Sequence, residues 1–267
     1  MKKVGSKLYL GLVFLFLYAP ILVMIFFSFN ASSSKYKFTG FSLRWYARLF
    51  NDSALMEALL NTLIVAFLAA VLATVLGTMA AIGFHNMKKR SRGIAMNISN
   101  IPIINPEIVT GVSLMLLFVA VLRPMGLQLG FFTVLLSHIA FNTPYVILNV
   151  APKLRQMDKN LYEAALDLGC SPVQAFRKVV LPEIMPGVTA GALMAFTYSL
   201  DDFIISYFTS GTFQTLPVYI YSLLKKPIPL SINALSTLLF LLVLTVLLIT
   251  NIKDIRQSRR EARGLAG

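Results

Sequence analysis

Three carboxylates lie within long apolar stretches of the sequence, where an acid is costly. They are Glu107, Asp201 and Asp202. An acid at the centre of a membrane-spanning helix costs about 2.5–3.5 kcal/mol on insertion scales, and acids kept there usually face a polar interior or a solute pathway. No Lys or Arg lies in these stretches to pair with them. The pattern favours a passage for a cation, with hydrogen bonding between helices as the alternative.

Aromatic residues accompany the two aspartates and strengthen the cation hypothesis. They are Tyr198, Phe203, Tyr207 and Phe208, and the faces of such rings attract ammonium groups. Adjacent residues on a helix point about 100° apart, so Asp201 and Asp202 are not expected to line the same passage equally. We expect one to line it, and the other to pair across a helix interface or to reach the external surface.

Residues for other kinds of chemistry are scarce. A single cysteine, Cys170, excludes a disulfide within the chain and a cysteine-based metal cluster. The two histidines, His85 and His138, are too far apart in sequence to show metal-ligand spacing. His138 has no obvious partner and is expected to be a packed or interhelical group. The sequence therefore predicts neither an enzyme nor a bound cofactor.

The residues between Asp158 and Gly169 have the composition of a short capped helix. Asp158 suits the N-cap, and Gly169 stands where a C′ glycine would end the helix. Four small or apolar residues recur at helical spacing along one predicted face: Leu161, Ala164, Ala165 and Leu168. The side chains of the two alanines are small, so another surface could approach this face closely.

A second short helix is predicted directly after Gly169. Ser171 is a good N-cap, Pro172 suits the first helical position, and Gln174 completes a capping box. We expect this helix to run to about Val180 and to stop before Pro182.

Six apolar stretches are long enough to cross a membrane as helices, which requires about 20 residues each. The chain of 267 residues is 57% hydrophobic and only 13% charged, as expected of a protein whose solvent is lipid. The first stretch is longer than a signal-peptide core, so we expect it to be an uncleaved span. The predicted spans are 8–29, 58–84, 102–122, 131–151, 186–208 and 231–251.

The net charge of +13 is sorted by side of the membrane and needs no nucleic acid to explain it. Lys and Arg number 17 in the two termini and alternate loops, against 7 in the remaining loops. The positive-inside rule therefore places both termini in the cytoplasm. Within the longest external segment, Phe41 to Phe50 mixes aromatic and basic residues, which predicts an interfacial helix or a surface for an external partner.

Between spans four and five, the chain resembles the binding-protein-dependent ABC importer permeases. Glu163-Ala164-Ala165, then Gly169, Val179 and Leu181-Pro182, match the EAA signature of that family, with Val179 where isoleucine is commoner. The resemblance implies an all-α integral membrane fold of the type I importer class. It also implies that this segment couples to a cytoplasmic ATPase through Glu163, Ala164, Ala165, Gly169, Leu181 and Pro182. Glu163 would anchor to a basic or backbone donor. The chain contains no Walker A sequence, so ATP and Mg²⁺ would be bound by a separate subunit.

A second resemblance concerns the cargo. Ser199-Leu200-Asp201-Asp202-Phe203 and Arg44-Trp45-Tyr46 are similar to segments of the spermidine/putrescine (PotC-type) permeases. The resemblance implies a bacterial inner-membrane subunit with three kinds of partner: a second permease (PotB-like), an ATPase dimer (PotA-like) and an external polyamine-binding protein (PotD-like). The expected pathway residues are Asp201, Asp202, Glu107, Tyr198 and Tyr207.

With these resemblances, the chain divides into three expected regions. Residues 1–57 form the first helix and an external segment, and 58–255 form the permease core, with the coupling loop at 152–185. Residues 256–267 form a basic cytoplasmic tail. Three alternatives remain: a permease for another solute (ferric iron, thiosulfate or an amino acid), an ion-coupled secondary transporter, and a membrane enzyme. The coupling segment argues against the second, and the lack of a nucleophile–base or metal constellation against the third.

Overall fold

The chain is all-helical over the residues that the structure, a computed structural model, describes: 2–32, 37–223, 230–241 and 244–245. Within these ranges the only extended pairing is an isolated bridge between Asn30 and Phe41. The helices are α1 Lys2–Ser28, α2 Arg44–Phe50, α3 Ser53–Asn86, α4 Lys89–Ser99, α5 Ile101–Ile104, α6 Glu107–Leu122, α7 Phe131–Gln156, α8 Lys159–Asp167, α9 Pro172–Ala175, α10 Leu181–Asp201, α11 Ile204–Thr209, α12 Leu216–Ser222 and α13 Ser231–Leu241.

Five of these segments are long and apolar enough to span a membrane. They correspond to the first five predicted spans, and helices are required there because lipid offers no partner for free backbone groups. Only the first part of the sixth predicted span, α13, is described as an apolar helix. Most of its remainder, and the predicted tail at 256–267, lie outside the described residues.

The second short helix begins at Pro172 as predicted, but its predicted end and both predicted ends of the fifth span were wrong. The helix that begins at Pro172 does not stop before Pro182; it continues as one run of 30 residues to Asp201. A π-helical turn, Phe176–Val180, precedes Pro182, and the N–H of Leu181 bonds to the carbonyl of Phe176. This wider turn relaxes the helix where proline removes a donor. The span then ends at Asp201, before the predicted end at residue 208.

The third span is interrupted near its start, at Asn105 and Pro106. α5 ends at Ile104, Asn105 is extended, and α6 begins at Glu107 after Pro106. The residue before a proline is pushed out of the helical conformation. Glu107 consequently lies in the first turn of α6, where the helix dipole favours a negative charge.

The structure divides into two compact units, of which the larger is Glu57–Ser222. At its centre α7 packs against α10, around the fully buried side chains of Val146, Ile147 and Ile184. Small residues let the two helices approach. A Cβ added at Gly187 would lie 2.7 Å from the carbonyl oxygen of Asn149. Close approach over glycines spaced like Gly187 and Gly191 is a common way for membrane helices to pack.

The second unit consists of the described residues up to Met56 and from Leu223 onward. Its core is Trp45 of α2 against Leu230 and Ala234. The indole N–H of Trp45 donates to the carbonyl of Asn30 at 2.7 Å, and the guanidinium of Arg44 lies 4.3 Å from the ring centroid. A helix is therefore present where the aromatic and basic pattern predicted one. Its position at the membrane interface stays a prediction.

Adding one methyl group at Gly187 should destabilise the larger unit, because the Cβ would meet a backbone oxygen that cannot rotate away. We expect Gly187→Ala to cost about 1–3 kcal/mol, as other overpacking substitutions do. Gly83→Ala in α3 is the matched control, since its Cβ would meet nothing within 4 Å and alanine favours helices. Thermal unfolding of the purified protein measures both. A Gly187→Ala protein as stable as the Gly83→Ala protein would contradict the close approach.

Candidate substrate pathway and coupling segment

An acidic, aromatic cavity of about 350 Å³ lies where the broken third and fifth spans meet α7. Its polar wall contains three carboxylates: Glu107 from the start of α6, Asp201 from the end of α10, and the largely buried Asp202. Tyr145 and Tyr198 form much of the aromatic wall, and their ring centroids lie 4.5 Å apart. No Lys, Arg or His is among the described residues that line the cavity.

The structure separates the two neighbouring aspartates. Asp201 is exposed and lines the cavity. The side chain of Asp202 touches the cavity wall but is only 5% exposed. The helix breaks between them, with Asp202 in an extended conformation at the C-cap of α10. The side chains of Asp201 and Asp202 therefore point in different directions for two reasons: neighbouring residues on a helix are about 100° apart, and the helix ends between them.

Asp202 is held by α11 and by α7. Its carboxylate accepts hydrogen bonds from the backbone N–H groups of Ser206 (2.7 Å) and Ile205 (3.3 Å), which caps the start of α11. The imidazole Nε2 of His138, in α7, lies 3.3 Å from Oδ2 of Asp202 and 3.0 Å from the hydroxyl of Ser206. The expectation that His138 has no obvious partner was wrong, whereas its interhelical position was predicted. The partner is 64 residues away in sequence, and nothing local indicates it.

Two further hydrogen bonds tie α7 to the fifth span and its continuation. The amide of Asn142 donates to the hydroxyl of Ser199 at 2.7 Å, and the hydroxyl of Thr133 donates to the carbonyl of Thr209 at 2.7 Å. Together with His138, these side chains form a polar ladder on one helix. Interhelical hydrogen bonds in membranes contribute about 0.6–2 kcal/mol each, so the ladder fixes α11 against α7.

The remaining aromatic residues form a cluster beside the cavity. Phe203 lies 4.7 Å from Tyr221 and 5.5 Å from Tyr207, measured between ring centroids. Tyr207, predicted as a pathway residue, is 49% exposed but does not line the cavity. Sequence reasoning missed Tyr145 and Phe141, which do line it. The sequence did contain a signal for them: Tyr145 follows Phe141 by one helical turn, and its polar hydroxyl lies inside an otherwise apolar span.

The geometry offers no metal or catalytic centre among the described residues. They include no group of three His, Cys, Asp or Glu side chains able to hold a metal ion. Asp202 and Ser206 both approach the same nitrogen of His138. A hydrolytic triad needs the acid and the nucleophile on opposite ring nitrogens. His138, Asp202 and Ser206 therefore form a contact between helices and not a catalytic triad.

The predicted coupling segment forms a compact helical corner. The side chain of Asp158 accepts from the N–H of Asn160 at 3.0 Å, and α8 follows. At its end the N–H of Gly169 bonds to Leu166 and the N–H of Cys170 to Ala165, with φ of +84° at Gly169. These two bonds are the Schellman motif. The Ser171–Gln174 capping box then starts the next helix, as the sequence predicted.

The face of α8 differs from the predicted one at a single position. Leu161, Ala164 and Leu168 are exposed, with Leu168 86% exposed. Ala165 is only 8% exposed, because it lies on the flank that turns toward the rest of the unit, so it does not share the outer face. Glu163 is exposed beside a cavity of about 460 Å³ that α8 forms with the ends of α3 and α7. Leu181 is half-buried, and Pro182 is exposed where the π-helical turn ends.

Breaking the His138–Asp202 contact from one side should be costly, because it leaves a buried carboxylate without its imidazole partner. We expect His138→Leu to destabilise the protein by about 3–5 kcal/mol. Asp202→Asn should cost less, since its amide oxygen still caps α11. Thermal unfolding of both variants and of the double mutant gives the coupling energy. Additive effects in that cycle would show that the two side chains do not interact.

Comparisons with known proteins agree on the class. A family described as "Binding-protein-dependent transport system inner membrane component" matches residues 73–257. Two curated relatives cover most of the chain. The putrescine transport system permease protein PotI of Escherichia coli strain K12 is 39% identical over 231 residues, 85% of this chain and 82% of the relative. The spermidine/putrescine transport system permease protein PotC of Haemophilus influenzae is 37% identical over 232 residues, 86% and 89%.

Solved structures show the same fold. One is a bacterial ABC transporter involved in the import of the acidic polysaccharide alginate, with a TM-score of 0.68 over 94% of this chain and 95% of that chain, at 15% identity. Another is an amino acid ABC transporter, with a TM-score of 0.53 over 77% and 96%, at 20% identity. The fold is that of ABC importer permeases. The chain belongs to the family of inner membrane components of binding-protein-dependent transport systems.

Proposed function

We propose that this chain is a permease subunit of an ATP-driven importer of polyamines, spermidine or putrescine. The acidic, aromatic cavity is the observation that carries the proposal. Glu107 and Asp201 enter it from two different spans, and no basic residue lines it among the described positions. Relatives named for putrescine and spermidine transport support the same cargo.

The cavity chemistry suits an alkyl-ammonium ion. A carboxylate accepts charge-assisted hydrogen bonds from an ammonium group. The paired rings of Tyr145 and Tyr198 offer faces to the same charge and apolar contact to the methylene chain. The cavity needs only moderate affinity, because a transported solute has to leave it again. The exposed aromatic cluster around Tyr207 lies beside the cavity and would offer further ring faces to the ammonium group as the solute leaves the cavity.

Energy for transport would come from partner subunits. The chain has no Walker A sequence, so ATP and Mg²⁺ belong to an ATPase dimer and this chain needs no cofactor of its own. We expect a second, related permease to complete the passage and an external polyamine-binding protein to deliver the solute. The positive-inside count predicts that α8 lies on the cytoplasmic side, where the ATPase would bind.

The corner around α8 has the properties required of a coupling element. Its outer face, Leu161, Ala164 and Leu168, is apolar and exposed. Its two caps hold it rigid. The helix that starts directly after it, at Pro172, runs without interruption to Asp201. Movement of the corner would therefore be transmitted along one element to the cavity.

Neutralising the cavity acids should reduce polyamine uptake without uncoupling the ATPase. We expect Glu107→Gln and Asp201→Asn each to lower uptake at subsaturating spermidine by about tenfold or more, the effect of losing one charged hydrogen bond. Glu57→Gln, an exposed acid outside the cavity, is the control for charge alone. Uptake into proteoliposomes, measured beside ATPase activity stimulated by the loaded binding protein, separates the two functions. Normal uptake in both cavity variants would overturn the cation pathway.

The turn at Gly169 should tolerate only residues that accept a positive φ. A β-branched side chain there costs about 1–2 kcal/mol or more, although its Cβ would meet nothing within 4 Å. We expect Gly169→Val to lower ATP-dependent uptake at least about fivefold, and Gly169→Asn to retain most of it because asparagine accepts this conformation. Both proteins should insert normally into the membrane. Full uptake by Gly169→Val would contradict a rigid coupling corner.

A further inference from the structure

A second pocket lies at the end of the bundle that leads into the coupling corner, and the proposed transport path does not use it. It has a volume of about 320 Å³ and lies between α4 and the ends of α3 and α7. Three cationic side chains line it: Lys89 and Arg92 from α4, and Arg155 from the last turn of α7. The deeper wall is apolar, formed by residues such as Phe84 and Ala151.

These cations have no acidic partner. None of Lys89, Arg92 and Arg155 forms an ion pair with an acidic residue in the part of the chain that the structure describes. Lys88 and Arg90 extend the cluster along the first turn of α4. Like charges repel one another, and a pocket that gathers Lys89, Arg92 and Arg155 without an acid is suited to an anion.

The opposite face of α4 is apolar and exposed. Ile94 and Ile98 of α4 are 55% and 61% exposed, and Ile101, at the start of α5, continues their spacing and is 50% exposed. On an α-helix, the positions of Lys89, Arg92 and Met96 lie on the side away from these isoleucines. A helix with a basic face and an apolar face lies in the plane of the membrane interface, its apolar side dipping just below the headgroups. The cationic face is then level with the lipid phosphates.

We propose that this pocket binds the headgroup of an anionic phospholipid. The phosphate provides the negative counter-charge for Lys89, Arg92 and Arg155, which have no acidic partner. The apolar wall accepts the glycerol and the first part of an acyl chain. The positive-inside count predicts that this end faces the cytoplasm, the side on which basic pockets between spans bind anionic lipids. A lipid bound there would connect α3, α4 and α7 directly beside the coupling corner.

The test compares two charge-matched double variants of the purified transporter. Arg92→Gln with Arg155→Gln removes two cations from the pocket. Lys88→Gln with Arg90→Gln removes two from the same neighbourhood that do not line it. Native mass spectrometry measures binding as phosphatidylglycerol is added, with phosphatidylcholine of identical chains as the neutral lipid and glycerol 3-phosphate as a soluble competitor.

We expect wild type to retain phosphatidylglycerol in preference to phosphatidylcholine. The pocket variant should bind it about 30-fold more weakly, from the contribution of each basic residue near an anionic surface, and the control variant should change little. Equal losses in the two variants would overturn the pocket in favour of general surface charge. Competition by glycerol 3-phosphate at similar concentration would identify a soluble anion instead of a lipid. Loss of the ATPase subunit from the pocket variant alone, with lipid binding unchanged, would identify a protein contact.

Discussion

The buried contact between His138 and Asp202 decides where the long helix from Pro172 ends, and the cavity depends on that end. A helix terminus inside a membrane has free backbone groups that lipid does not satisfy. Asp202 satisfies two of them at the start of α11, and His138 partners its carboxylate from α7. With Asp202 held in this way, Asp201 is turned into the cavity. One aspartate maintains the backbone break that presents the other.

The same constraint explains why the cavity forms where it does. Glu107 follows the interruption at Asn105–Pro106, and Asp201 precedes the interruption at Asp202 and Phe203. Each acid therefore lies at a helix end, where backbone groups are already unpaired and polar. Within an uninterrupted helix, either carboxylate would face apolar neighbours at a larger cost. Two breaks in different spans meet beside α7, which supplies the rings of Phe141 and Tyr145.

The parts of the structure that local chemistry determines were predictable. Hydropathy located the first five spans, and the caps at Asp158, Gly169 and Ser171 were read correctly because each involves residues within a few positions. Contacts between distant segments were not predictable. His138 and Asp202 meet only after two spans have packed, and Ala165 turned inward for the same reason. The continuation through Pro182 was missed because the π-helical turn that accommodates it has no simple sequence signal. The amphipathic α4 was overlooked inside a basic loop.

The uninterrupted helix from Pro172 to Asp201 also has a mechanical consequence. Its 30 residues span about 45 Å at 1.5 Å per residue. One end adjoins the capped corner and the other carries a cavity acid, so under the proposed function the element would act as a lever arm. A tilt of about 10° about one end would displace the other by about 8 Å at this length, more than the width of an alkyl-ammonium chain. The π-helical turn at Phe176–Val180 lies near the end of the helix that adjoins the corner. A small change in backbone winding there would produce a large displacement of Asp201 at the far end.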